Sequence, residues 1–218
     1  MAPTTALVEA LVGLGLLLSA LYLQSESFVD PMVDVIAIQS LILAALLGWL
    51  AYANGSGELA AVAALIVGIR VILIPYGVLR RQIRAFRWRA REIRASQRVA
   101  SHALAAVAIA IVAWFVFQET LAPALPAVPG IALPFVLLAE GLLMLATRSN
   151  TLVQVIGYLE EENAIVYAGA LFVVSFPLLL ETVIFLDVLA VVLVGVILSI
   201  QRSVMGSPEE EAIEELTG

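Results

Sequence analysis

The residues best placed to do chemistry in this 218-residue chain are acids embedded in apolar sequence. Glu160, Glu161 and Glu162 stand side by side in one apolar stretch, Glu140 lies in the stretch before it, and Glu181 and Asp187 in the stretch after it. A carboxylate taken into hydrocarbon costs several kcal/mol if charged and unpaired, so it takes a proton or finds a partner. Such acids usually face a bundle interior or a hydrated cavity, where one that exchanges its proton can serve a relay. Arg70, midway along the third apolar stretch, can neutralise one of them, as a static counter-ion or as part of a gate.

The triplet also has a plainer reading, in which it marks a helix end. Cutting there leaves roughly seven apolar residues before it and about a dozen after, and neither piece spans a bilayer. An intact helix puts the triplet near its centre. Successive residues then differ by about 100°, so the three acids cannot all face one neighbour. At least one needs a cavity, a partner subunit or a proton. Glu181 and Asp187 lie about 9 Å apart along a helix and about 120° from eclipsed, so they need not share a site.

The elements that position these acids follow from composition. The chain is 62% hydrophobic and 13% charged, about half the charge of a soluble domain. Its solvent is therefore mostly lipid, and no room is left for a separate catalytic domain. Cysteine is absent, which excludes disulfides and thiolate metal sites, and the single histidine, His102, cannot build a metal site alone. No nucleophile–base pair or phosphate loop occurs, and Gly13-Leu14-Gly15 has no strand before it, so no dinucleotide fingerprint is formed. No catalytic, cofactor-binding or metal-binding residue is assigned.

Spans of about twenty apolar residues cross the hydrocarbon core. They are expected at about 5–23, 32–53, 58–79, 99–117, 131–147, 151–174 and 178–200, the third interrupted by Arg70 and Pro75 and the fifth by Pro134 and Glu140. The fold class is an all-α, polytopic membrane helix bundle of about seven transmembrane helices. Residues 1–202 form one membrane domain, containing a basic loop at 80–98, and 203–218 an acidic cytoplasmic tail. No basic residue precedes the first span, so it is expected to be retained rather than cleaved. Eight of the eleven basic residues, all arginines, fall within 80–98, which makes that loop cytoplasmic by the positive-inside rule. A surface-lying amphipathic helix suits it, and arginines flanking a span are a topogenic signal before they are a nucleic-acid site. Counting outward puts Arg148 and Arg202 inside too, the N-terminus outside and the C-terminus in the cytoplasm. Trp49, Trp88 and Trp114 suit interfacial anchoring, and His102 an interfacial position.

Ile156-Gly157-Tyr158-Leu159-Glu160-Glu161-Glu162-Asn163-Ala164-Ile165 resembles the G-Y-x-x-x-E-N-G segment of the hydrogenase-4 component E family, with Ala164 in place of the last glycine. Pro177-Leu178-Leu179-Leu180-Glu181 with Asp187 resembles the next family segment, and Gln39-Ser40-Leu41 also matches. Arg70-Val71-Ile72-Leu73-Ile74-Pro75 is similar to a lysine-containing family segment, with arginine for lysine. A buried lysine can lose its proton and an arginine almost never does, so a fixed counter-ion role survives at Arg70 while a proton-carrying one does not.

The resemblance covers most of the chain and is most specific from Arg148 to Arg202. It implies that 131–202 is a three-helix unit similar to the K-type subunit of respiratory complex I, whose glutamates belong to a proton-conducting membrane axis. Carried over, those positions fall on Glu162 and Glu181, with Glu140, Asp187, Glu160 and Glu161 as further relay candidates. The implied function is that of a non-catalytic, multi-pass inner-membrane subunit of a hydrogenase-4 or formate-dehydrogenase-linked complex. Its expected partners are antiporter-like and quinone- or redox-module subunits, with no nucleic acid and no cofactor in this chain. A stand-alone secondary transporter is the competing reading. Spans one to three and five to seven permit a parallel repeat, but their polar residues match poorly. A structural scaffold of the same complex is the third.

Overall fold

A computed structural model describes residues 3–85, 96–124 and 130–172, together with position 196. Every described element is helical. Helix α1 runs Pro3–Ser25 and α2 Val29–Asn54; α3 runs Gly57–Ile66 and continues as a π-wound segment, Val67–Leu79, into the short α4, Arg80–Ala85. Helix α5 spans Ser96–Val116 and extends through a π turn, Phe117–Leu121, and a 3-10 turn, Ala122–Ala124. Helices α6, Leu133–Thr147, and α7, Thr151–Phe172, follow. Four stretches are long and apolar enough to cross a membrane: Leu7–Ser25, Val29–Asn54, Gly57–Leu79 and Ala100–Ala124. The expected span at 178–200, apart from position 196, lies outside the described residues together with its Glu181 and Asp187, as do Trp88, Arg202, most of the basic loop and the acidic tail.

Local chemistry fixes the connections. Between α1 and α2, the Glu26 carboxylate accepts the N–H groups of Ser27 (2.7 Å) and Phe28 (3.0 Å), and the Tyr22 hydroxyl donates to its other oxygen at 2.8 Å. Partial burial pushes the Glu26 carboxyl up, but the Phe28 N–H, the Tyr22 hydroxyl and the Ser27 N–H together hold it below its ordinary range. At the far end of α2, Gly55 takes the left-handed conformation (φ 63°), and the Ser56 N–H closes back onto the Ala51 carbonyl at 2.9 Å. The Ser56 hydroxyl then accepts the Leu59 N–H and caps α3. The turn chemistry of Asn54–Gly57 thus makes α2 and α3 an antiparallel hairpin.

Two spans differ from expectation. The third is not broken at Arg70 and Pro75 but rewound: Pro75 has no N–H for an α ladder, and its ring crowds the preceding turn. The wider i→i+5 winding carries the helix through it. The fourth continues beyond Phe117 to Ala124. Its polar residues 118–120 do not break a helix, and the Thr120 hydroxyl bonds back to the Val116 carbonyl at 2.5 Å.

Helix α2 is the centre of the bundle, touching α1, α3 and its π segment, and α7, whereas α5 lies at the edge against α1 and α6. Over their most apolar windows α2 is 56% buried and α5 only 11%. Helices α6 and α7 approach each other closely. A Cβ added at Gly141 would lie 2.6 Å from Glu161 Cγ and 2.9 Å from the Gly157 carbonyl, and one at Gly157 would meet Met144 Cβ at 3.0 Å. Two glycines facing each other let these backbones almost touch. Arg148, in the α6–α7 turn, donates to the Gln24 carbonyl at the end of α1 (2.5 Å), and Arg80 pairs with Asp34 near the start of α2. Both arginines therefore sit at the same end of the bundle.

Candidate functional site

Helix α7 is unbroken through the triplet, which lies near its middle. The three glutamates diverge as the helical angle requires. Glu162 faces Arg70 across the bundle, with Nη2 to Oε2 at 3.3 Å and both side chains about 1% exposed. Arg70 also donates from Nη1 to Asn163 Oδ1 at 3.2 Å. The Asn163 amide in turn donates to Gln39 Oε1 (3.0 Å) and Ser40 Oγ (3.1 Å) on α2. Gln39 Nε2 reaches the Leu16 carbonyl of α1 at 3.3 Å. One buried polar network thereby ties α1, α2, the π segment after α3, and α7.

Electrostatics explains why the network is built this way. A guanidinium in an apolar interior is tolerated only when its charge is compensated and its donors are used. Glu162 supplies the charge and Asn163 an acceptor beside it. Arginine suits the place because its planar fork addresses both partners at once. Pairing Arg70 with one of the embedded acids was expected from sequence; that the partner is Glu162 was not fixed there.

Glu160 points to the other side of α7. It is fully buried and within electrostatic reach of Glu140 at the middle of α6, which is fully buried as well. Glu161, between Glu160 and Glu162 in sequence, is half-buried, with its stem along Gly141. Gln24 at the end of α1 donates from Nε2 to the Glu140 backbone carbonyl at 2.8 Å, which also sets its amide beside the Glu140 carboxyl. Of the expected relay candidates, the described structure buries Glu140 and Glu160 within electrostatic reach of each other and sets Glu162 apart with Arg70. Glu181 and Asp187 lie outside the described residues.

A third polar locus sits toward the opposite end of the bundle. The Tyr167 hydroxyl donates to the Glu9 carbonyl at 3.1 Å over Gly13, whose missing Cβ leaves room for that hydroxyl and for Leu133. Glu9 is itself buried. The sequence-based expectations give no role to Gln24, Glu9 or Tyr167. A glutamate inside an apolar run signals Glu9, but nothing in the sequence tells that Gln24 turns inward. Trp49 and Trp114 lie at the surface, each about 41% exposed. Among the described residues, no group of three or more His, Cys, Asp or Glu side chains converges to hold a metal ion.

No protein-family model matches the chain, and neither a curated protein nor a solved structure matches it.

Proposed function

We propose that this chain is a non-catalytic inner-membrane subunit of an energy-converting, complex-I-like oxidoreductase of hydrogenase-4 or formate-dehydrogenase-linked type. Its buried carboxylates take part in proton or cation translocation coupled to electron transfer. The observation that supports this reading best is the Arg70–Glu162–Asn163–Gln39–Ser40 network. It engages three of the segments in which the sequence resembles the hydrogenase-4 component E family. A charged pair retained in an apolar interior is costly as mere scaffolding, because well-packed apolar residues of similar volume are often as stable or more so. Intramembrane ionisable groups therefore favour a functional reading.

In this proposal the chain crosses the membrane about seven times, with the N-terminus outside and the C-terminus in the cytoplasm. Arg80 and Arg148 at one end of the bundle favour that orientation. Redox chemistry in partner subunits changes the field and hydration around Glu162 and Glu181, and Glu140 and Asp187 pass the change to antiporter-like neighbours. Arg70 acts as the fixed counter-ion. Purification from the native membrane tests the reading: co-isolation with antiporter-like and redox-module subunits is the expected result. Recovery of the chain alone, with transport in liposomes, would establish a secondary transporter instead. In an assembled complex, Glu162→Gln is expected to reduce proton pumping; full pumping would leave only a scaffold.

A further inference from the structure

Glu9 is a buried acid that the Arg70 network does not use. It stands in the second turn of α1, about 1% exposed, and its Oε2 has no hydrogen-bond partner among the described residues. The buried positions of this helix, Glu9, Gly13, Leu16, Ala20 and Leu23, recur at spacings of four and three and so form one face. A glutamate therefore occupies a core position. Tyr167 of α7 supplies an independent observation: its hydroxyl, itself fully buried, donates to the Glu9 backbone carbonyl at 3.1 Å. A side chain at Gly13 would collide with that hydroxyl and with Leu133 of α6. The turn of α1 that carries Glu9 is thus clamped against α7 and the start of α6, with its acid turned inward.

The same helix faces carry the Arg70 network. Leu16, two turns beyond Glu9 on α1, accepts Gln39 Nε2 on its carbonyl at 3.3 Å. Asn163, one turn before Tyr167 on α7, donates to Gln39 Oε1 at 3.0 Å. Glu9–Tyr167 and Leu16–Gln39–Asn163 are successive polar rungs of one seam, about 10 Å apart along α1. No arginine side chain reaches the outer rung among the described residues. Arg70 is held by Asn163 and Glu162, and Arg80 and Arg148 mark the far end of the bundle. Of the helices packed on α1, α7 brings the Tyr167 hydroxyl to Glu9, and α2, α5 and α6 bring no described charge; the chain's own amino group is the charge within electrostatic reach. A carboxyl in such a place binds a proton rather than hold bare charge away from water.

We infer that Glu9 is the group through which this end of the bundle exchanges a proton with the adjoining water, with Tyr167 as the positioning residue that keeps its turn of α1 in the seam. On protonation one O–H bond of a hydronium ion breaks as one to a Glu9 oxygen forms, leaving water. The inference rests on the relay reading above, which puts this end outside, and deepens it by giving the line from Arg70–Glu162 an outer terminus.

Labelling by dicyclohexylcarbodiimide, which modifies protonated carboxyls in apolar surroundings, tests it on the full chain in sealed native membrane vesicles. The pH on the two sides is set separately, and mass spectrometry reads the adduct at Glu9. Labelling is expected to fall several-fold as pH rises on the amino-terminal side and to ignore pH on the other. Absence of the adduct, as for a carboxylate paired with the amino group, would overturn the inference. So would a yield that ignores pH or follows the opposite side. The unsubstituted chain gives this readout, so folding of a variant does not limit it. Tyr167→Phe keeps the ring without the hydroxyl and is expected to shift the pH profile of labelling; an unshifted profile would overturn the part given to Tyr167. Pumping by the assembled complex is measured separately with Glu9→Gln. A labelled Glu9 with pumping unchanged keeps the exchange site and removes it from the relay, whereas failure of labelling leaves the roles of Arg70 and Glu162 untouched.

Discussion

The two faces of α7 handle the same problem in opposite ways. Toward α2 and the π segment, the acid Glu162 is met by Arg70, and every member of the surrounding network is tied to another helix. Toward α6, Glu140 and Glu160 lie within electrostatic reach of each other, with the Gln24 amide beside the Glu140 carboxyl and no ion pair to either acid among the described residues. Two residues in sequence separate these outcomes, because a step of two along a helix swings a side chain by about 200°. Burial alone therefore does not define the chemistry of an intramembrane acid. The partner across the interface does.

Removing one partner should expose the contrast most strongly. Arg70→Met leaves Glu162 buried without its cation and is expected to destabilise the protein by about 3–5 kcal/mol, read as earlier thermal unfolding in detergent. Arg70→Lys should lose less, since it keeps the charge but not the fork. Gly141→Ala attacks only the α6 side. Its methyl group would press on the Gly157 carbonyl and on Glu161, forcing the two helices apart at about 1–3 kcal/mol while the Arg70 network remains.

Glu26, outside the spans, serves as a reference for an acid held by backbone donors. Replacement by Ala removes the acceptor for the Ser27 and Phe28 N–H groups in the α1–α2 connection and is expected to cost about 1 kcal/mol. Because folding lowers the Glu26 pKa, its contribution is fully present above the ordinary carboxylate pKa and is lost as pH falls through the lowered one. The stability difference between parent and variant, followed in an acid titration, should close in that window. The smallest effect is expected at Glu140→Gln, which replaces an acid without a cation partner by a neutral isostere and should leave stability within about 0.5 kcal/mol of the parent. A loss as large as that at Arg70 would erase the distinction between the two faces.

Much of this arrangement is legible without coordinates. The apolar runs mark where helices form, the Asn54–Gly57 turn is written in its glycines and serine, and spacing alone forces Glu160 and Glu162 apart. Choosing their partners is another matter. Whether Arg70 meets Glu160, Glu162 or Glu181 depends on helix order and rotation in the bundle, which hydrophobicity constrains weakly when both core and surroundings are apolar. Gln24 shows the same limit, since its inward turn depends on α1 ending beside α6. The extension of α5 to Ala124 goes beyond the span expected to end at 117, because helical winding tolerates the polar residues 118–120 that follow the apolar run.

The π-wound segment carrying Arg70 also bears on how the gene can vary. A wide helical turn accommodates an extra residue that an α turn excludes, so a one-residue deletion between Arg70 and Leu79 can be absorbed by tighter winding. The same deletion in α2 after Ser40 would rotate the rest of that helix by about 100° against its neighbours. Length changes should accordingly be tolerated beside the buried arginine and resisted in the central helix, making the third span the more forgiving place for the reading frame to gain or lose a codon.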